Sequence, residues 1–181
     1  MIVIITGKTG VGKTTILKKY NYKNTIFIDE YIKESLYKKG QVLYEFIKNK
    51  FGEKYVNDLG VDIPKFSYLF FNDKNARSII ETEVNFYIKK YLSTLNKEEL
   101  YLVEMATYIN FYKYFKDVVN YTILLKRKKI SLKNKSEILQ NNVDKLVFKD
   151  ETLCDKIIWN KFIFFSKFKL NKIVIQLKKS T

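Results

Sequence analysis

The chain has 181 residues, 46% hydrophobic and 16% aromatic, which suits a packed core and excludes a disordered chain. It has no His and a single Cys (Cys154), which excludes an internal disulfide framework, Cys-built zinc sites and His-based acid–base chemistry; any general base must be a carboxylate and any metal a hard cation on oxygen ligands. The formal net charge is +15, and Arg77 and Arg127 are the only arginines among 34 basic residues, so the charge reads first as a solvated lysine-rich surface and only second as a site for nucleic acid.

Residues 2–5 form a β-branched apolar run, the pattern of a buried parallel strand. A Gly-rich turn follows, and a helix is expected over 14–20. A second apolar run, 25–28, ends at Asp29-Glu30. Helical spacing appears at 34–36 and again at 42–51, where Val42, Leu43, Phe46 and Ile47 recur and Gly52 closes the segment. The stretch around 58–64 reads as a loop and holds the only Pro, Pro64. A long helix is predicted over 78–92, with Ile79, Ile80, Val84, Ile88 and Leu92 on one side. Residues 100–103 make a third strand ending at Glu104, and 118–125 a fourth, followed by the basic cluster 126–129. Ser136 is a candidate N-cap for a helix over 136–146. Residues 156–159 form a short fifth strand ending at Asn160, and 163–177 fits either helix or strand, with helix favoured. Strands alternating with helices predict one α/β domain over 1–181, a three-layer fold with a five-stranded parallel sheet flanked by helices. No apolar run is long enough to span a membrane, and the N-terminus has no basic region or long apolar core of a signal peptide; a cytoplasmic protein without membrane contact is expected.

The most specific feature is Gly7-Lys8-Thr9-Gly10-Val11-Gly12-Lys13-Thr14, which satisfies G-x-x-x-x-G-K-[ST] at every fixed position. The glycines allow backbone shapes that turn successive N–H groups toward phosphate oxygens. The following helix directs its positive end at the same place. Lys13 is expected on the β- and γ-phosphates of ATP, the Thr14 hydroxyl on Mg²⁺, and Thr15 on the α-phosphate. A GTPase would need N-K-x-D, whereas Asn96-Lys97 is followed by Glu98-Glu99 and Asn134-Lys135 by Ser136-Glu137. The short length, with acids closing strands two and three, points to a small-molecule kinase.

The order of motifs resembles the dephospho-CoA kinase family. After the phosphate loop come Ile28-Asp29-Glu30, Gly40, Phe51-Gly52, Leu59-Gly60, Phe70-Phe71-Asn72-Asp73 and Cys154-Asp155-Lys156-Ile157-Ile158-Trp159-Asn160, the last resembling the family's A-D-x-x-I-x-N. The spacing from Gly40 through Gly52 to Gly60 is also similar. The chain departs from the pattern in several places. The family's Asp-x-Asp is reduced to Asp29, Glu81-Thr82 stands where a His-Pro pair is expected, and Pro64-Lys65 stands near a missing Arg. Met105-Ala106-Thr107-Tyr108 replaces Pro-Leu-Leu, and the basic segment after strand four is Lys-rich.

The resemblance implies ATP and Mg²⁺ as cofactors, dephospho-CoA as the small-molecule substrate, a helical acceptor-binding insertion at about 30–95, a short lid at about 126–137, and a monomer or weak homo-oligomer. Under it, Asp29 is the catalytic base or hydroxyl-orienting acid, or otherwise a helix N-cap. Glu104 holds a Mg²⁺-bound water, or is a loop acid. Arg127 is the lid cation over the transferring phosphoryl group, or part of a solvated run, with Lys133, Lys135 and Lys149 as weaker candidates. Lys65 and Arg77 are candidates for acceptor phosphates, Arg77 otherwise facing water; Asn160 lies near the adenine or serves as a cap or turn residue; and the aromatic stretch 66–71 lines an acceptor pocket or fills core. Three rival readings stay open: another nucleoside or nucleotide kinase on the same fold, a nucleotide-dependent nucleic-acid-binding protein, and a degenerate kinase that binds ATP but no longer transfers phosphate.

Overall fold

The computed structural model describes residues 1–128 and 151–179. The predicted helix over 136–146, residues 129–137 of the lid, and Lys133, Lys135 and Lys149 lie outside the described residues. The chain divides into two compact units, one built from Met1–Phe27 with 95–128 and 151–179, the other from Ile28–Thr94.

The first unit is a five-stranded parallel sheet in the order β2-β3-β1-β4-β5, with β1 Ile2–Thr6, β2 Thr25–Phe27, β3 Tyr101–Glu104, β4 Tyr121–Lys126 and β5 Lys156–Trp159. All five residues of β1 are buried, which explains its unbroken apolar run: a central parallel strand is covered on both faces. Side chains alternate across the sheet. Val3 and Ile5 point to a core shared with Ile16 and Leu17 of α1 (Lys13–Tyr20) and with Leu170 and Val174 of α7 (Ile163–Lys179). The short 3-10 turn Tyr108–Phe111 leads into α6 (Tyr112–Phe115) and also meets β1; Tyr108 and Phe115 there are fully buried.

Register sets the site. Ile5 pairs with Glu104 of β3 and Thr6 with Leu124 of β4, so the acid that closes β3 stands beside the residue where β1 gives way to the glycine loop. The chain leaves β1 on the side of β3 and later returns to its other side at β4, and open α/β sheets bind ligands beyond the carboxyl ends of strands at such a switch point. Asp155 fastens the far edge: its Oδ2 accepts from the Thr122 N–H at 2.7 Å, tying the start of β5 to β4.

The second unit is helical: α2 Ile28–Tyr31 running into a π-helical turn Ile32–Leu36, then α3 Val42–Phe51, α4 Ile63–Asn72 and α5 Lys74–Ser93. Its core gathers Tyr44, Ile47, Val61, Phe66, Ala76 and Ile80, with Phe70, Leu69 and Val84 packed against them.

Several boundaries differ from the sequence reading for identifiable reasons. The stretch taken as a loop through Pro64 ends in a helix start: Asp62 caps α4, accepting from the Lys65 N–H at 3.2 Å, and Pro64 occupies the first turn, where its missing N–H costs nothing. The aromatic stretch 66–71 is therefore helical, with Phe66 buried in the core and Tyr68 exposed. Helix α5 begins at Lys74, ahead of the predicted start, because Asp73 caps it through the Asn75 and Ala76 N–H groups, both at 2.9 Å. Its buried line runs Ala76, Ile80, Ile88 and Leu92, with Ile79 facing outward. The fourth strand starts at Tyr121, later than predicted, and 163–179 is helical. Cys154 is partly buried.

The Asp73 cap is testable. Asp73→Ala is expected to cost about 1 kcal/mol, lowering the melting temperature by about 2–4 °C for a chain of this size, while Asp73→Ser retains most of it. Thermal unfolding followed by circular dichroism reads both variants; equal losses in the two would show that the side-chain cap is not what holds α5.

Candidate active site

The loop between β1 and α1 owes its shape to two close approaches. Gly7 has φ 143°, and a Cβ there would run into the Leu125 carbonyl oxygen of β4. Gly12 has φ 97°, and its Cβ would stand 2.7 Å from Asn160 Nδ2. Only glycine tolerates both the backbone angle and the absence of room. Gly12 is also the N-cap of α1 with no side chain to cap it, which leaves the first-turn N–H groups directed into the loop for an anion.

Lys13 enters this concavity. Its Nζ donates to Gly7 O at 2.8 Å and to Lys8 O at 3.2 Å, and it lies 3.8 Å from Glu104 Oε1. The side chain is 5% exposed, so this is a nearly dry cation held by carbonyls and one carboxylate, the setting in which charge acts most strongly on a bound anion. The other oxygen of the same carboxylate, Glu104 Oε2, accepts from Thr14 Oγ1 at 2.8 Å. Lys8, Thr9, Gly10 and Val11 form the rest of the loop, with Val11 N–H donating to Lys8 O at 3.4 Å; Thr15 is exposed on the first turn of α1.

Thr14 and Glu104 are two hard oxygen donors within hydrogen-bond distance. Among the described residues no group of three or more His, Cys, Asp or Glu side chains could hold a metal by itself. That donor set fits Mg²⁺, which keeps several waters and takes its remaining ligands from phosphate oxygens, and does not fit a cation that needs a full protein cage.

Asn160 ends β5 and is 2% exposed. Its Nδ2 donates to Val11 O at 2.7 Å, its Oδ1 accepts from Ser166 Oγ at 3.0 Å, and its N–H donates to Lys126 O at 2.7 Å. Asn160 therefore braces the phosphate loop from behind, and Ser166, on the first turn of α7 and itself 1% exposed, fixes the amide. Sequence reasoning did not find Ser166: a serine among phenylalanines carries no motif, and only the helical turn brings it back to Asn160. Arg127 is exposed just past β4. Its neighbour Lys126 is ion-paired with Glu151 and lies over the Trp159 ring at 5.3 Å.

The remaining candidates belong to the helical unit. Asp29 is exposed and is the second residue of α2, two positions after β2 ends, so it lies within the helix and not at its N-cap. Burial pushes the Tyr37 phenol far above its ordinary range, and the Asp29 carboxylate adds to that rise, so Tyr37 stays a neutral O–H. Lys65 is paired with Asp62 Oδ2 at 3.2 Å. Arg77 bonds Glu81 Oε1 through Nε at 2.9 Å and lies 5.0 Å from the centre of the Phe70 ring; Glu81, at the place of the family's His-Pro pair, thus serves as its partner.

No family model matches the chain. It is 30% identical over 182 aligned positions to the dephospho-CoA kinase of Mycoplasma genitalium strain G37, covering 96% of this chain and 91% of that one. It is 27% identical over 133 positions to the dephospho-CoA kinase of Mycoplasma pneumoniae strain M129, covering 70% and 66%. The fold matches the solved dephospho-CoA kinase of Campylobacter jejuni with a TM-score of 0.62 at 19% identity, covering 99% of this chain and 98% of that one. It also matches TT1252 of Thermus thermophilus with a TM-score of 0.61 at 17% identity, covering 97% and 96%.

Ser166→Ala leaves the buried Asn160 Oδ1 without its donor, a loss of about 1–3 kcal/mol. The expected result is a several-fold weaker affinity for nucleotide, read by titration with a fluorescent ATP analogue. A lower melting temperature with unchanged affinity would mean that the brace is not felt at the loop.

Proposed function

The chain belongs to the dephospho-CoA kinase family, and we propose that it transfers the γ-phosphoryl group of ATP to the ribose 3′-hydroxyl of dephospho-CoA, giving CoA and ADP. The observation that carries the phosphoryl-transfer half is the Lys13–Glu104–Thr14 arrangement at the mouth of the glycine loop. The acceptor half rests on the 30% identity running along nearly the whole chain. A cytoplasmic location is part of the same proposal; among the described residues no helix is long and apolar enough to cross a membrane.

In this mechanism the loop N–H groups from Gly7 to Thr15 hold the triphosphate, and Lys13 lies on its β- and γ-oxygens. Thr14 and Glu104 would hold Mg²⁺, directly or through water; when bound, it neutralises charge on the phosphates. Asp29 accepts the proton of the 3′-hydroxyl as the new O–P bond forms and the bond to the β-phosphate oxygen breaks, with ADP leaving. Arg127 balances charge on the transferring group, which a guanidinium does bidentately and without losing its proton. Asn160 acts on the nucleotide through the loop it braces, next to the adenine end. Lys65 and Arg77 are proposed for the acceptor's phosphates; each already has a carboxylate partner, so phosphate has to compete with Asp62 and Glu81.

The test is ADP release from ATP and Mg²⁺ with dephospho-CoA and a panel of nucleosides and nucleotides. Turnover confined to dephospho-CoA is expected; activity on another acceptor alone would keep the kinase and discard the acceptor. Lys13→Ala should lower kcat by at least about a hundredfold, since the buried cation acts on the transferring group. Glu104→Gln should raise the Mg²⁺ concentration needed for half-maximal rate, and an unshifted Mg²⁺ curve would remove Glu104 from the metal. Asp29→Asn is expected to reduce kcat with little change in KM for ATP; a parallel loss in both would make Asp29 a structural residue.

A further inference from the structure

Helix α7 has two apolar faces, and the proposed reaction leaves the outer one unused. Its inner face, Ser166, Leu170 and Val174, is buried on the sheet. On the opposite side Phe164, Phe168 and Ile175, at i, i+4 and i+11, line up in one exposed row, 75%, 65% and 46% accessible. Phe162 and Phe165 flank it at 67% and 61%. Four phenylalanines this open on one helix end form a contiguous apolar patch rather than scattered surface residues. Charge along the segment itself has one sign: from Lys156 to Lys179 the sequence holds seven lysines and no Asp or Glu.

From this we propose that the outer face of α7 docks on an anionic lipid surface, lying in the plane of the interface and not crossing it. Phenylalanines on one face interleaved with lysines are the composition of in-plane amphipathic helices, whose rings enter the headgroup–acyl boundary while the lysines meet anionic headgroups. Lys169 and Lys172 are exposed beside the phenylalanine row and have stems long enough to keep their ammonium groups at the headgroups while the rings are buried. A second copy of the chain is the poorer occupant, because a two-fold contact would set the lysines of one patch against the same lysines of the other, with no acid in the segment to pair them. Single-stranded nucleic acid is also poorer. Phe164 and Phe165 stand at 80° and Phe162 and Phe165 at 66°, edge to face, so they offer no parallel tier on which successive bases could stack.

Trp159 is the only Trp, is 47% exposed, and precedes the patch, so its emission reports on it. The experiment uses the full chain without nucleotide, mixed with phosphatidylcholine vesicles or with vesicles carrying about one-third phosphatidylglycerol, and is read by co-sedimentation and Trp159 emission. Expected are a blue shift and at least about tenfold tighter binding to the anionic vesicles, weakening as salt rises. A Phe164→Ser/Phe168→Ser variant and a Lys169→Gln/Lys172→Gln variant should each lose about tenfold or more, with ADP release in solution unchanged as the control for folding. Equal partition into both vesicle types, no blue shift, or variants that bind like the parent would overturn the proposal. So would a salt-sensitive preference for an oligonucleotide over the vesicles, or a lipid-independent dimer that the phenylalanine variant dissolves.

Discussion

The site depends on a lack of space. Under Gly7 lies the carbonyl of Leu125, and under Gly12 the amide of Asn160, so the loop can approach β4 and β5 this closely only without side chains at those two points. The fixed points of that contact are strands, and strands are placed by register. With β1 buried along its length and paired on both sides, a slip of one residue would exchange the side chains packed on its two covered faces. The same register that protects the core brings Glu104 level with Ile5 and hence beside the loop. Geometry at the phosphate site is therefore inherited from the packing of the sheet, and an enzyme that must hold a transferring group to within a fraction of an ångström gains from building its site on such elements.

Charge at the site is local in a way that the net charge of +15 is not. A solvated lysine surface is screened within about 10 Å at ordinary salt. Lys13 is nearly buried, and its carbonyl partners and Glu104 offset the cost of removing it from water. One carboxylate serves two groups, since Glu104 faces the Lys13 ammonium with one oxygen and takes the Thr14 hydroxyl with the other. Phosphate competes with Glu104 for that ammonium, and a metal would compete with Thr14 for that carboxylate.

Features coded by a short local pattern were legible in the sequence. The five strands came from apolar runs ended by turn or charged residues, and the glycine loop from fixed spacing. Features coded by the relation of distant segments were not. Helix α4 is masked in the sequence because Pro64 reads as a loop marker, although an Asp two residues before a Pro, followed by an amphipathic run, is a helix start. The partners of Lys65 and Arg77 were missed because i,i+3 and i,i+4 pairing becomes visible only once the helices are placed. Asn160 was legible as a motif residue, but its contact with Val11 spans nearly the whole chain and needs the sheet to exist first. Asp155 stands in the same motif, and its bond to the Thr122 backbone joins neighbouring strands of the finished sheet, as that of Asn160 to Val11 joins the end of β5 to the glycine loop.

Helix α7 explains the one element whose type the sequence left open. A helix is recognised by an apolar stripe against a polar remainder, and residues 163–179 are apolar on the inner face and again along Phe164, Phe168 and Ile175, so the period is blurred. The two faces answer to different constraints. The inner face cannot drift, because Leu170 and Val174 fill the core and Ser166 holds Asn160 against the loop. The outer face is exposed, and changes at sites far enough apart to share no contacts add independently. Its phenylalanines and lysines could therefore accumulate without disturbing the phosphate loop on the other side of the same helix. A surface free to vary in this way is where a property unrelated to catalysis can be carried at little cost to it.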